Sequence, residues 1–312
     1  MNKPMVDILL ATYNGSMFLR EQIDSLFKQT YKNIRICIRD DGSTDDTLSI
    51  IEEYQERFPN FIEIVPGGNH DGIAFNFSVL LSYSTTPYVM FCDQDDVWLP
   101  DKVMVTLNKV QELERVYGSN IPILVHTDLK VVDEGLSTLG DSFWDYQKLN
   151  PRKNTLNRLL VQNVVTGCSM MINRCLIKRC GKIPSNAVMH DWWIALVASS
   201  FGIISIVEST TVLYRQHSNN DTGAKRWNMD FIIKRISRFR KLKDNLLRTQ
   251  YQANEFFILY NKSLSPELLE LVYTYSHLND YHRMKRLYCI LKYKTFKIGL
   301  IRNIGLITTL CL

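Results

Sequence analysis

The chain of 312 residues has a net charge of +5, with 46% hydrophobic and 22% charged residues. This composition excludes a disordered or fibrous protein and suits one large globular domain with an extension. The charge is uneven, because residues 1–224 contain 20 Lys and Arg against 26 Asp and Glu, whereas residues 225–312 contain 17 against 6. We therefore predict an acidic domain over residues 1–224 and a basic, helical extension over residues 225–312.

Apolar runs and helical periodicities alternate over the first hundred residues. Strands are predicted at residues 6–12, 34–39, 61–65 and 88–92, and a helical pattern follows each of the first three. This order predicts a parallel sheet with helices on both faces. Ligands in such sheets lie beyond the carboxyl ends of the strands, and all four predicted ends are followed by turn-forming, polar or acidic residues. We expect one binding site at that edge.

The pattern is less regular in the remainder of the chain. It predicts helices at 101–117, 155–161, 174–181 and 191–201, and strands at 121–126, near 164–172 and at 210–215. From about residue 227 onward the chain is predicted to be wholly helical. The fold class expected from these elements is α/β, with a C-terminal helical extension.

The fourth strand ends in three carboxylates within four residues, Asp93, Asp95 and Asp96. Crowded carboxylates repel one another unless a cation lies among them; a solvated cap before the next helix is the alternative. Their position after a buried strand favours a divalent ion, Mg²⁺ or Mn²⁺, that bridges carboxylates and a diphosphate. His217 follows the last predicted strand as a further candidate ligand, and Arg215 is a candidate partner for a leaving diphosphate.

Polar residues also follow the first two strands. They are Thr12, Tyr13 and Asn14 after the first, and Asp40 and Asp41 after the second. Turn chemistry alone explains Asp41 and its neighbours. Taken together, the two strand ends predict a pocket in which a carboxylate accepts the imide N–H of uracil or thymine while Tyr13 stacks on the base.

Asp191 lies near the start of the apolar helix predicted at 191–201. Such a carboxylate is either an N-cap or a general base whose pKa is tuned by its apolar surroundings. We interpret Asp191 as the base.

Several protein classes are disfavoured by missing patterns. The chain has no GxGxxG, and Gly67–Gly72 has the glycine spacing of a P-loop but Ile73 where Lys is required, which counts against dehydrogenases and ATPases.

The seven cysteines form no CxxC pair and are expected to be reduced thiols of a cytosolic protein. We find no signal peptide and no apolar run of the roughly 18 residues that would cross a bilayer.

The basic extension interleaves cations with apolar residues over 225–243 and again over 296–307. A solvated helix face, nucleic acid and an anionic membrane surface are three explanations of such a pattern. No recognisable nucleic-acid module accompanies the charge. We therefore predict no nucleic-acid partner and favour the membrane surface, contacted through the C-terminal helices.

The chain resembles the family 2 glycosyltransferases of GT-A fold, and particularly the bacterial enzymes, including rhamnosyltransferases, that build cell-surface polysaccharides. The resemblance covers roughly residues 5–220. It rests on five ordered segments, which are Leu9–Gly15, Arg39–Asp45, Asn69–Gly72 with Asn76, Asp93–Trp98 and His190–Trp193.

The resemblance implies an inverting transfer of one sugar from a nucleotide-sugar, dTDP-rhamnose or a UDP-hexose, with Mn²⁺ or Mg²⁺ as cofactor. It implies a lipid-linked glycan acceptor, in O-antigen, capsule or exopolysaccharide synthesis, at the inner face of the cytoplasmic membrane. By position, Asp191 becomes the catalytic base, Asp93 and Asp95 contact the metal, and Asp96 orients the site. We predict Asp96 and His217 as further metal ligands. The expected donor-binding residues are Thr12, Tyr13, Asn14, Asp40, Asp41, Asn69, Gly72, Asn76, Asp93, Gln94, Trp98 and Arg215.

Two departures leave the donor sugar open. His190 stands where the family often has an acidic residue, and Phe75 stands where many members have Arg. The QxxRW pattern of processive synthases is missing, which favours transfer of a single sugar.

The sequence disfavours two other functions. A nucleotidyltransferase would need a basic, Gly-rich loop near the amino terminus, and Ala11–Gly15 has no Lys or Arg. A catalytically silent, membrane-tethered binding module is disfavoured by the retained Asp93, Asp95 and Asp191.

Overall fold

A computed structural model of the chain describes residues 3–218, 220, 223, 224 and 239–311. The basic run over 225–238, predicted to contact a membrane, lies outside these residues. The strands are β1 (Val6–Thr12), β2 (Ile34–Asp40), β3 (Ile62–Ile64), β4 (Tyr88–Cys92), β5 (Val97–Trp98), β6 (Ile123–Val132), β7 (Thr138–Gly140), β8 (Met170–Asn173) and β9 (Ile203–Arg215).

Helices separate and follow the strands. They are α1 (Ser16–Phe27), α2 (Thr47–Arg57), α3 (Ile73–Tyr83), α4 (Lys102–Tyr117), α5 (Phe143–Tyr146), α6 (Leu156–Leu159), α7 (Arg174–Cys180), α8 (His190–Phe201), α9 (Phe239–Tyr260), α10 (Pro266–Ser276), α11 (Arg283–Tyr293) and α12 (Leu300–Cys311). Within the described part of the chain, no helix is long and apolar enough to cross a bilayer.

The strands form one mixed sheet in the order β3-β2-β1-β4-β8-β6-β9-β5, with β7 paired to β6. β1 pairs in parallel with both β2 and β4, and the alternating pattern had predicted parallel strands in this part of the chain. β8 enters between β4 and β6 and is antiparallel to both. The expected α/β fold class with C-terminal helices is confirmed.

Helices cover both faces of the sheet. Every residue of β1 is buried, which is typical of a central parallel strand. Ile8 and Leu10 belong to the core cluster that includes residues of α1, α2 and α4. Leu9 belongs to the opposite cluster, with residues of α3, α8 and the C-terminal helices. The period-two alternation of a strand therefore builds two cores from one segment.

The C-terminal helices share the second core with the sheet. On α9, the Phe256 ring packs against Trp193 of α8, with ring centroids 5.5 Å apart. The Val188 N–H donates to Gln252 Oε1 at 2.8 Å, and the Tyr260 hydroxyl donates to the carbonyl of Arg179 at 3.0 Å. The proposed boundary near residue 224 thus divides two parts of the chain that contribute to one hydrophobic cluster.

Two strands are longer than their sequence patterns predicted. β6 and β9 pair in parallel from Ile123 and Ile203 onward, with register shifts near Asp128. Asp128 interrupts the apolar pattern of β6, yet it is buried because Ser142 and the backbone N–H of Phe143 donate to its carboxylate. These partners come from the start of α5, beyond β7 in the chain, so the local pattern of β6 did not predict them.

Gly202 permits the close approach that starts β9. A Cβ added there would lie 1.9 Å from the Pro122 carbonyl oxygen. We expect Gly202→Ala to lower the free energy of unfolding by about 1–3 kcal/mol through overpacking. Urea denaturation of the variant and wild type measures the change. Gly305→Ala on α12 is the matched control, because nothing lies within 4 Å of its added Cβ and Ala favours a helix; equal losses in both would contradict the prediction.

Candidate functional site

The carboxyl ends of β1, β2 and β4 lie together at one edge of the sheet. The Thr12 hydroxyl at the end of β1 donates to Asp40 Oδ2 at 2.8 Å. Gln94, which follows β4, exchanges two hydrogen bonds with the backbone of Tyr13. The structure therefore brings together the loop predicted to bind the nucleoside (residues 13–15, named here the nucleoside loop) and the loop predicted to bind the metal (residues 93–96, the metal loop).

Asp40 and Asp41 are both buried and hold neighbouring loops. Asp40 Oδ1 accepts the N–H groups of Gly42 and Ser43 at 3.0 and 2.7 Å. Asp41 accepts the N–H groups of Asp71 and Gly72 at 3.1 and 2.8 Å. Both carboxylates therefore fix the backbone of the loops around the candidate base pocket. Their predicted contact with a base stays a prediction.

Aromatic surface is exposed beside these carboxylates. Tyr13 is 39% exposed, and its ring lies 4.5 Å from that of His70, centroid to centroid. His70 adopts a left-handed backbone conformation with φ +63° and donates its N–H to the Asp41 carbonyl at 2.9 Å. Sequence reasoning missed His70, because an exposed loop histidine carries no pattern of its own.

Four further donor-binding candidates have different surroundings. Asn69 is exposed, whereas Gly72 is half-buried and reaches Asp41 through its N–H. Asn76 is buried and exchanges two hydrogen bonds with Arg39, at 3.1 and 3.0 Å. Trp98 is buried under the Lys102 ammonium, which lies 4.5 Å from the indole centroid. Asn76 and Trp98 therefore contact protein groups and do not face an open surface.

The inner carboxylates of the metal loop, Asp93 and Asp96, lie beside the thiol of Cys168. Ligand atoms of Asp93, Asp96 and Cys168 all lie within 4.8 Å of one another. Asp96 Oδ1 accepts the Arg215 N–H at 3.0 Å, while Asp96 Oδ2 is buried without a hydrogen-bond partner among the described residues. Burial, then the charges of Asp95 and Asp93, raises the pKa of Asp96 well above its usual range. An unpartnered buried oxygen among carboxylates fits a divalent cation.

The outer part of the metal loop contacts the segment that follows β9. Asp95 Oδ2 lies 2.8 Å from His217 Nε2 and accepts from Asn220 Nδ2 at 3.3 Å. The His217 ring packs against Phe18 of α1, with centroids 4.9 Å apart. The four predicted metal ligands thus fall into an inner group with Asp93 and Asp96 and an outer group with Asp95 and His217. Cys168 and Asn220 were not anticipated, because isolated residues of these types give no motif.

Arg215 is enclosed by protein groups. Its side chain is 2% exposed and forms an ion pair with Glu21 of α1. Its Nε donates to the Asp95 carbonyl at 2.8 Å, and its Nη1 donates to the carbonyl of Glu134. The guanidinium also lies 4.5 Å from the centroid of the Phe18 ring. Arg215 is therefore buried and donates to the backbone of the metal loop. Its predicted contact with a diphosphate stays a prediction.

Asp191 lies in the first turn of α8. Its Oδ2 accepts the Gly167 N–H at 3.0 Å, whereas its Oδ1 has no hydrogen-bond partner among the described residues. Burial of the carboxyl raises the pKa of Asp191 to about 7, although backbone N–H groups, Trp192 first, oppose the shift. A carboxylate with a near-neutral pKa and one unengaged oxygen suits a general base.

His190 occupies an apolar pocket beside Asp191. Its ring lies 4.0 Å from that of Phe77 and 5.3 Å from that of Phe91. Burial lowers the pKa of His190 to about 3, so the ring is neutral at physiological pH. A Cβ added to Gly167 would lie 2.7 Å from His190 Nε2. Gly167 therefore supplies both the N–H that holds Asp191 and the space that His190 fills.

Comparisons with known proteins identify the family of the chain. The family described as "Glycosyl transferase family 2" matches residues 7–180. The chain is 30% identical to the dTDP-rhamnosyl transferase RfbG of Shigella flexneri over 229 residues, which are 69% of this chain and 74% of that protein. These matches show the family, and the predicted resemblance to rhamnosyltransferases is confirmed.

Solved structures show the same fold at low sequence identity. The S. aureus TarS 1–349 structure in complex with UDP-GlcNAc has a TM-score of 0.58 and 17% identity, covering 88% of this chain and 72% of that one. The mannosyltransferase PcManGT from Pyrobaculum calidifontis, in complex with GDP-Man and Mn²⁺, has a TM-score of 0.55 and 16% identity, covering 94% and 74%. These similarities support the GT-A architecture.

Proposed function

Because the chain belongs to glycosyl transferase family 2, we propose that it transfers one sugar with inversion from a nucleotide-sugar to an acceptor hydroxyl. The observation that carries the proposal is the pair of carboxylate sites at one sheet edge and on α8. The metal loop, with Asp93 and Asp95, is suited to the donor diphosphate. Asp191 is a separate carboxylate that is available for proton transfer.

In this mechanism the oxygen of the acceptor hydroxyl attacks the anomeric carbon of the donor sugar, and the bond from that carbon to the diphosphate breaks. Asp191 Oδ1 takes the proton of the hydroxyl. The Gly167 N–H holds the other carboxylate oxygen and fixes the direction of Asp191. A divalent cation held by Asp93 and Asp95, with Asp96 and His217 as further candidate ligands, would supply positive charge against the departing diphosphate. Mn²⁺ and Mg²⁺ both suit carboxylate oxygens; the PcManGT complex with Mn²⁺ supports the proposal.

The proposed donor is dTDP-rhamnose or a UDP-hexose. The name of the RfbG relative supports the first, and the UDP-GlcNAc complex of TarS supports a uridine nucleotide. A panel of dTDP-rhamnose, UDP-glucose, UDP-galactose, UDP-N-acetylhexosamines and GDP-mannose, with Mn²⁺ or Mg²⁺, tests the proposal. We expect one donor to bind and be slowly hydrolysed; binding of none would overturn the function.

Transfer should depend on pH through Asp191. Because burial raises the pKa of Asp191 to about 7, the carboxyl is protonated and inactive as a base below that pH. We expect kcat/KM to rise about tenfold per pH unit below pH 7 and to level off above it. Transfer rates between pH 5 and 9 measure this acidic part of the pH profile. A midpoint near pH 4, the range of an ordinary Asp, would contradict the assignment of Asp191 as the base.

We further propose a lipid-linked glycan acceptor, met at the cytoplasmic face of the membrane. Within the described residues, helix α11 supports this proposal, because its side chains Met284, Tyr288 and Leu291 are 71%, 62% and 55% exposed. Their i, i+4, i+7 spacing forms one apolar stripe. Residues 283–297 contain six Lys and Arg and no Asp or Glu, a charge that complements anionic lipid headgroups.

Liposome flotation tests the membrane surface. We expect the protein to float with vesicles containing anionic lipid, and Tyr288→Asp/Leu291→Asp to lower binding about tenfold or more, because the apolar stripe is lost. Val116→Asp/Tyr117→Asp is the matched control, since these side chains on α4 are also exposed, by 67% and 54%. Equal flotation of wild type and the α11 variant would exclude the α11 stripe as the contact, and failure of wild type to float would overturn the membrane proposal.

A further inference from the structure

Gln94, the residue between Asp93 and Asp95, turns its side chain away from the carboxylates and onto the nucleoside loop. Its Oε1 accepts the Tyr13 N–H at 2.8 Å, and its Nε2 donates to the Tyr13 carbonyl at 2.9 Å. The amide thus pairs with both backbone groups of one residue, as a neighbouring strand would. This pair ties the middle of the metal loop to the residue that offers the exposed ring.

The space beside this pair is available because residue 15 is glycine. A Cβ added to Gly15 would lie 2.2 Å from Gln94 Oε1 and 2.3 Å from its Cδ. The backbone of Gly15, with φ −107° and ψ 9°, is one that other residues adopt. Conformational freedom therefore does not explain the glycine; room for the Gln94 amide does.

The nucleoside loop has separate anchors on the other side. The Asn14 N–H donates to Ser43 Oγ, and the Gly15 N–H donates to Thr47 Oγ1, each at 2.8 Å. These bonds hold the loop to the segment after β2 and do not involve the metal loop. Loss of the Gln94 amide should consequently leave the nucleoside loop in place while releasing the metal loop from it.

We propose that Gln94 is a positioning residue that sets the separation between the Tyr13 ring and the carboxylates of Asp93 and Asp95. A nucleoside diphosphate can span only a limited distance from its base to its phosphates. A protein that holds both subsites within that distance binds the nucleotide and a divalent cation with positive cooperativity. This inference rests on the proposed function, because it assumes that a nucleoside diphosphate spans the two loops.

Calorimetric titration of the full chain with UDP and dTDP, in EDTA and in Mn²⁺, measures this cooperativity. We expect Mn²⁺ to tighten nucleotide binding by wild type. For Gln94→Met, which keeps side-chain bulk but removes both hydrogen bonds, the enhancement by Mn²⁺ should shrink about tenfold. Affinity in EDTA should change less than about threefold, because the Ser43 and Thr47 anchors remain. Gln55→Met on α2 is the matched control.

A double-mutant cycle checks the same contact without relying on one substitution. Gly15→Ala should displace the Gln94 amide and reduce the Mn²⁺ enhancement to the level of Gln94→Ala. In the double variant Gly15→Ala/Gln94→Ala, the Mn²⁺ enhancement should be little lower than in Gln94→Ala alone, because the side chain with which the added Cβ clashes has been removed. Additive losses of the enhancement would overturn the inference.

The outcomes separate this inference from the proposed function. If wild type binds neither nucleotide in Mn²⁺, the proposed function fails for these bases and the inference falls with it. If wild type shows the enhancement and Gln94→Met retains it, the positioning role alone is overturned. Equal weakening of Gln94→Met in EDTA and in Mn²⁺, with a lower melting temperature, would also overturn it, because a merely structural residue behaves in that way.

Discussion

Asp191→Asn should lower kcat by about 10²–10⁴-fold, the range that a positioned general base contributes. The amide cannot accept a proton from the acceptor hydroxyl, yet it has the size of the carboxyl and retains an oxygen for the Gly167 N–H. Donor affinity should therefore stay within about twofold of wild type, since no donor contact is removed. Steady-state transfer assays with the preferred donor, and titration with its nucleotide, measure the two quantities.

Asp145→Asn provides the matched control, because Asp145 lies in the first turn of the short helix α5 and is exposed. This control should retain activity. An active Asp191→Asn enzyme would show that the base lies elsewhere. A variant that lost both kcat and nucleotide affinity would instead point to a structural role for the carboxyl.

Asp95→Asn should reduce transfer by about 10³-fold, because the uncharged amide removes one carboxylate charge from the metal loop and weakens the charge stabilisation of the leaving diphosphate. The amide is close in size to the carboxylate, so the contacts of its neighbours His217 and Asn220 are disturbed as little as any substitution allows. Mn²⁺ binding, followed by electron paramagnetic resonance or calorimetry, should weaken together with the rate.

Asp101→Asn, at the exposed start of α4, is the control for this change and should bind Mn²⁺ like wild type. EDTA should abolish transfer by wild type, and added Mn²⁺ or Mg²⁺ should restore it. Persistent transfer in EDTA would exclude the metal-dependent mechanism, whatever the behaviour of Asp95→Asn.

Residue type alone does not show which carboxylates can bind a metal and which bind other protein groups. Asp93, Asp95 and Asp96 look equivalent in the sequence, but Asp96 is buried and accepts the Arg215 N–H, whereas Asp95 meets His217. The difference arises because residues 94 and 95 form a turn after β4, and the end of β9 with the segment that follows it, more than a hundred residues later in the chain, supplies their partners. Arg215 shows the same effect, since Glu21 and Glu134 enclose it from other elements.

The alternation of strands and helices over the first hundred residues, the parallel sheet that it forms, and the gathering of polar residues at one sheet edge followed from the sequence alone. Period-two and helical periodicities report which side of each element is buried, and short connections in α/β units leave few topologies. Family membership was also accessible from the sequence, because the resemblance rests on five segments that occur in the same order.

The tertiary structure decided what the local patterns could not. It placed β8 antiparallel inside the sheet, enclosed Arg215, and gave the Asp191 carboxyl its raised pKa. It also turned Gln94 toward Tyr13. All four depend on partners that are distant in the chain, and burial and hydrogen bonding act through space. A sequence pattern therefore identifies the residues that gather at a site, whereas packing determines which of them remain open to a ligand.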